Sequence, residues 1–177
     1  MMRRLLSIWL GCCAVALLSP CVAADELPVR KAGLWEMKIA KGGSGLPELT
    51  TQHCTDATTD RDMNATVSPM TKQVCSRRDV QKTATGYIVD AVCSVAGASM
   101  KSHSEIVGDF NSAYTVTTTS HSDKGPANLR DITTKVEAKW LGPCKADQKA
   151  GDIVMPGGLK LNVKDAERLK SLLPKSN

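Results

Sequence analysis

Four cysteines and two histidines are the residues of this chain whose types and spacing most readily suggest chemistry. Cys54, Cys75, Cys93 and Cys144 lie beyond an N-terminal leader that carries Cys12, Cys13 and Cys21. No C-x-x-C pair is present and the spacings are wide, which argues against a structural zinc site and for two disulfides. His103 and His121 flank a short turn-like stretch, and Glu105 and Asp123 stand two residues from them. If the hairpin between them places Phe110 opposite Tyr114, the two imidazoles face each other across the ladder. Two imidazoles and a carboxylate can hold zinc or copper, so His103 and His121 are the candidate metal ligands. The plainer reading is two solvent-facing histidines near strand ends, because a one-residue slip in register separates the pair. No nucleophile-elbow, Ser-x-x-Lys or His-Glu-x-x-His motif occurs, and the glycine-rich stretches lack the lysine and strand–loop–helix setting of a phosphate loop. No cofactor is expected, and no catalytic residue is assigned. A hydrolase would need a buried, pKa-shifted group that sequence does not reveal.

The compartment is read from the first 24 residues. Arg3 and Arg4 precede an uncharged run from Leu5 to Leu18, which Ser19 and Pro20 interrupt, and Val22-Ala-Ala24 precedes Asp25-Glu26. That order describes a secretory signal peptide cleaved after Ala24, with the run too short for a comfortable bilayer span. The mature chain, 25–177, is then expected in the periplasm as one disulfide-stabilised β-rich domain, with no stable membrane span. Of 23 basic and 18 acidic residues the leader removes two arginines, leaving a net charge of +3. The charges are mixed rather than striped, so nucleic acid is not an expected partner.

The elements that must position these residues are mostly strands. Trp35, Met37 and Ile39 alternate with Glu36 and Lys38, and Ile132, Thr134, Val136, Ala138 and Trp140 alternate with charged neighbours. Period-two patterning with one wet face predicts an antiparallel sheet. Between these strands, Gln73–Lys82 pairs with Tyr87–Val95 and His103–Phe110 with Tyr114–His121. The predicted fold is mainly β: a single curved antiparallel meander or partial barrel, with a short helix near residue 60. Ile153–Leu159 reads as an apolar hairpin, and Asn162 as the cap of a C-terminal helix bearing Val163, Ala166, Leu169 and Leu173 on one face. A hairpin centred on Ala84 sets Cys75 opposite Cys93, leaving Cys54 with Cys144. The sequential pairing, Cys54–Cys75 with Cys93–Cys144, stays open.

With those residues laid out, the chain resembles the bacterial exported family called domain of unknown function 3617. The resemblance rests on Gly33-Leu-Trp-Glu36, on the spaced cysteines Cys54, Cys75 and Cys93, on Leu141-Gly-Pro-Cys144, and on Gly151–Gly158 followed by Asn162. It implies export and a β-rich fold, and implies no activity. The function expected is therefore a non-enzymatic binding or accessory protein of the cell envelope. Trp35, Trp140, Phe110 or Tyr114 would line a cleft for a small hydrophobic ligand or an envelope protein, with metal binding and hydrolysis as alternatives.

Overall fold

A computed structural model describes residues 26–42, 47–61, 74–95, 97–127 and 130–165. The expected hairpins are present as β3 (Cys75–Lys82) with β4 (Gly86–Val95), and β5 (Ala98–Asp109) with β6 (Ala113–Ser122). β7 (Asp131–Gly142) completes a five-strand meander and shows the expected alternation, every second side chain from Ile132 to Trp140 turned inward. β1 (Gly33–Gly42) then pairs with β7, not with β3, and β2 (Leu49–Thr55) pairs with β1. β8 (Asp152–Val154) and β9 (Lys160–Asn162) extend that side, giving one antiparallel sheet in the order β3-β4-β5-β6-β7-β1-β2-β8-β9.

β2 is not among the strands expected from the sequence. Thr51, Cys54 and Thr55 are buried strand residues. Threonine, with a branched β-carbon, suits a pleated surface even where a hydropathy pattern reads as loop. The short helix occurs just after it, at 57–61. Asp56 caps it: the Thr59 amide donates to Asp56 Oδ1 at 2.7 Å, and the Asp56 amide donates to Thr59 Oγ1 at 2.9 Å. This reciprocal arrangement satisfies orphan donors at the helix start, and it holds the Asp56 carboxyl below its ordinary range. At the other end, the Ile153–Leu159 hairpin is present as β8, a 3-10 turn at Pro156–Gly158, and β9. The Lys164 amide donates to Asn162 Oδ1 at 3.0 Å, as a cap should. The rest of the expected C-terminal helix, with Ala166, Leu169 and Leu173, lies outside the described residues, as does the leader.

The open sheet is strongly curled. Arg78 of β3 and His53 of β2 line the same cavity although six strand steps separate them. In a flat sheet those strands would stand roughly 29 Å apart. Inside the curl a row of aromatic rings crosses the sheet. Trp35 lies 5.7 Å from Tyr114, Tyr114 stacks on Phe110 at 4.7 Å, and Phe110 meets Tyr87 edge-on at 5.9 Å. Trp35 and Tyr114 meet across an intervening strand because β7 presents only the small, buried Ala138 between them. Trp35 is fully buried, its indole N–H donating to the Lys31 carbonyl at 2.8 Å. Gly33, with φ of 132°, opens β1 where no other residue fits: a Cβ there would lie 2.6 Å from Trp140 Nε1 and closer still to the Gly142 carbonyl.

The disulfides are Cys75–Cys93 and Cys54–Cys144, the pairing that hairpin geometry favours. The register behind that geometry differs by one residue. The β3–β4 ladder pairs Lys82 with Tyr87 and Arg77 with Val92, and a bulge between Cys75 and Arg77 brings Cys75 back opposite Cys93. Cys54–Cys144 ties β2 to the segment leaving β7, with Cα atoms 5.4 Å apart. In the chain-entropy account a bridge spanning 90 residues is worth roughly 4–5 kcal/mol and one spanning 18 roughly 3 kcal/mol. Replacing Cys54 and Cys144 with alanine should therefore lower the urea-unfolding free energy by about 1–2 kcal/mol more than the same change at Cys75 and Cys93. Equal losses would show that the bridges act through native-state contacts instead.

Candidate ligand cavity

Along the inner face, the period-two rule turns Met37, Val89, Ile106, Tyr114 and Val116 toward the axis of the curl. Phe110, from the β5–β6 turn, and Leu27 and Pro28, from the lead before β1, close over them. The result is a cavity of about 340 Å³, at the small end of ligand-sized pockets.

Its polar groups arrive from elements distant in sequence. Arg30 enters from the lead and Asp60 from the helical turn after β2, and the two form a buried fork. The Arg30 amide donates to Asp60 Oδ2, and its Nε and Nη2 donate to Oδ1, each at 2.7 Å. Side-chain exposure is 8% for Arg30 and 3% for Asp60, so both charges are nearly stripped of water and depend on each other. The guanidinium also rests 3.7 Å from Met37 Sδ and 5.8 Å from the centroid of the Trp35 ring. Burial pushes the nearby Tyr114 phenol above its ordinary pKa, with the charge of Arg30 opposing the shift.

His53 sits on β2 opposite Trp35. Its Nε2 shares a hydrogen bond of 3.0 Å with Thr51 Oγ1, and its buried Nδ1 has no partner among the described residues. Desolvation, then the charge of Arg30, lowers its pKa from 6.5 to about 4, with Asp60 opposing. His53 is therefore a neutral imidazole at neutral pH. It is the buried, pKa-shifted group of the kind a hydrolase requires, yet its hydrogen-bonded neighbour Thr51 is only 4% exposed.

Of the aromatic residues expected in a cleft, Phe110 and Tyr114 line the cavity. Trp35 lies in the core behind it. Trp140 is outside its lining, at the sheet end, where its indole N–H donates to the Ala32 carbonyl at 3.1 Å and Lys31 Nζ stands 3.6 Å from the ring centroid.

His103 and His121 lie on the outer, convex face and are not ladder partners. The β5–β6 turn has the expected three residues but begins one residue earlier: Asp109 pairs with Ala113, and the Asp109 carboxylate accepts from the Asn111 amide and the Ser112 hydroxyl. Phe110 thus sits in the turn and not opposite Tyr114, and His103 faces Thr119 while His121 faces Lys101. Each histidine has a carboxylate from the strand on its other side, His103 with Asp90 at 2.8 Å and His121 with Asp131 at 2.7 Å. Asp123, the expected companion of His121, instead accepts from the Ser99 amide. Asp90, then Glu105, raise the pKa of His103. Among the described residues no three His, Cys, Asp or Glu side chains converge as a metal site.

The model of a protein family described as "Protein of unknown function (DUF3617)" matches residues 30–144. The chain belongs to the DUF3617 family. The DUF3617 match begins at Arg30, the cavity's buried cation, and ends at Cys144, the second half of the long disulfide. It thus covers every strand from β1 to β7. No curated protein and no solved structure matches the chain.

The histidines and tryptophans draw notice as chemically capable residues, but the buried polar cluster at the cavity is formed by Arg30, His53 and Asp60. Sequence reasoning missed all three. Arg30 stands in a polar lead and Asp60 in a Thr- and Asp-rich run, both indistinguishable from solvated segments. Two consequences can be measured. Asp60→Asn removes the countercharge of a buried guanidinium and should cost about 3–5 kcal/mol in chemical denaturation, whereas a loss below 1 kcal/mol would mean the pair is solvated. For His53 the folded pKa lies below the unfolded one, so the unfolded state takes up the proton first as pH falls. The stability contributed by the neutral ring is complete above pH 6.5 and is lost toward pH 4, by about 3 kcal/mol. The stability difference between the wild type and His53→Gln should shrink by that amount over this window, and a difference independent of pH would refute the assignment.

Proposed function

We propose that this DUF3617 protein is exported, is cleaved after Ala24, and acts in the periplasm as a non-enzymatic binding protein of the cell envelope. In this reading the cavity within the curled sheet receives a small hydrophobic ligand. The observation that carries it is the cavity itself: about 340 Å³, walled chiefly by Met37, Val89, Ile106, Phe110 and Val116. A core with so few large side chains gains more by closing such a space than by leaving it, unless the space has a use. Two disulfides support an oxidising, extracytoplasmic compartment. The leader supplies the route, and among the described residues no helix is long and apolar enough to cross a membrane. An accessory role toward an envelope protein is the coarser form of the same proposal, with the ligand handed on.

One measurement addresses both halves. The full-length gene, expressed in a Gram-negative host, should yield periplasmic protein whose native mass spectrum shows a chain beginning at Asp25 together with a small-molecule adduct. Val116→Phe, which fills the cavity beside Ile106, should keep the chain mass and lose the adduct. A chain starting at a lipidated Cys21 would overturn the cleavage site, and bare protein in both samples would overturn the carrier reading.

A further inference from the structure

The charged side chains lining the cavity are Arg30, Asp60 and Arg78. Arg30 and Asp60 are committed to each other at 2.7 Å. Arg78 is different. It lies on β3, opposite Ala91 and two residues from the buried Val80, and therefore on the inner face, yet its side chain is exposed at the rim. Its neighbour Asp79 alternates to the outer face and pairs there with Arg77. No carboxylate among the described residues forms an ion pair with Arg78. Among the described residues the cavity thus has an apolar interior, an internally neutralised pair and one guanidinium at its mouth without a countercharge.

Resting on the carrier reading above, we propose that the ligand is a single-chain carboxylic acid amphiphile whose head is held by Arg78 and whose chain occupies the space among Val89, Ile106, Phe110 and Val116. Charge complementarity selects the head. A guanidinium presents a planar fork that matches a carboxylate in two parallel hydrogen bonds. A carboxylate placed deeper would meet Asp60, which already engages the Arg30 amide and guanidinium, so the head belongs at the rim. Volume suits a single chain: about 340 Å³ lies at the small end of ligand-sized pockets, which favours one medium-length chain over the two of a diacyl lipid. His53, uncharged at neutral pH, neither competes for the anion nor adds a second binding charge.

The test is calorimetric titration of the secreted protein at neutral pH with decanoate, octanoate and decanol, on the wild type and on Arg78→Gln. Decanoate should bind the wild type roughly tenfold more tightly than decanol, as one charge-assisted contact at an exposed rim provides. Octanoate should bind roughly fifteenfold more weakly than decanoate, each of the two methylenes contributing about a fourfold factor. Arg78→Gln should bring decanoate to the level of decanol and leave decanol unchanged. If decanoate and decanol bind equally well, or if Arg78→Gln binds decanoate like the wild type, the assignment of the head is overturned while the carrier reading stands. If no chain binds, both fall.

Discussion

The Arg30–Asp60 fork connects three parts of the molecule that have no other reason to meet. Arg30 belongs to the lead before β1, Asp60 to the helical turn after β2, and beneath the guanidinium lie the fully buried Trp35 and the sulfur of Met37. A buried ion pair is a poor source of net stability, because desolvation offsets much of the attraction. What it does supply is placement. With three donors converging on one carboxylate, neither segment can shift without leaving a charge in a low-dielectric interior. The lead is thereby held over the inner face of the sheet, and the cavity acquires its end wall. Burial keeps the neighbouring His53 neutral, with the charge of Arg30 adding to the effect and that of Asp60 opposing it.

Around that fork the sheet solves the problem of a core with only five aromatic residues after position 24. Large rings are concentrated in one row, from Trp35 through Tyr114 and Phe110 to Tyr87, and a small residue, Ala138, is placed where two of them must meet over an intervening strand. Threonine fills much of the remaining ladder. Each threonine buries little apolar area, so the hydrophobic contribution per residue is modest. Two covalent bridges compensate by restricting the unfolded chain, one closing a hairpin and one closing half the protein.

Much of this was legible in residue order, and the illegible parts share a cause. β7 and β1 declared themselves because a single face is buried and the alternation is clean. β2 did not: in Leu49–Thr55 only the leucine and the cysteine are apolar, and its burial comes from β1 and β8 on either side, which no local pattern encodes. The disulfide pairing was readable although the register behind it was off by one, since the bulge after Cys75 restored the facing positions. The histidine pair fails for the opposite reason. There the Asp109 contacts start the turn one residue early, and nothing restores the register. The cavity's polar residues were beyond reach because a buried charge looks like any surface charge until its partner, 30 positions away, is seen beside it.

An open sheet has two edges, and an edge is an invitation to any passing strand. In β3 that invitation is withdrawn by chemistry: Arg77, Arg78, Asp79 and Lys82 crowd one short strand, the bulge breaks its hydrogen-bonding rhythm, and the Cys75–Cys93 bridge fastens its end to the next strand. At the far side it is withdrawn by brevity, β9 being only three residues long. The small bridge therefore keeps the charged strand at the edge of the sheet, where loss of β3 would leave the more apolar β4 as the edge in its place.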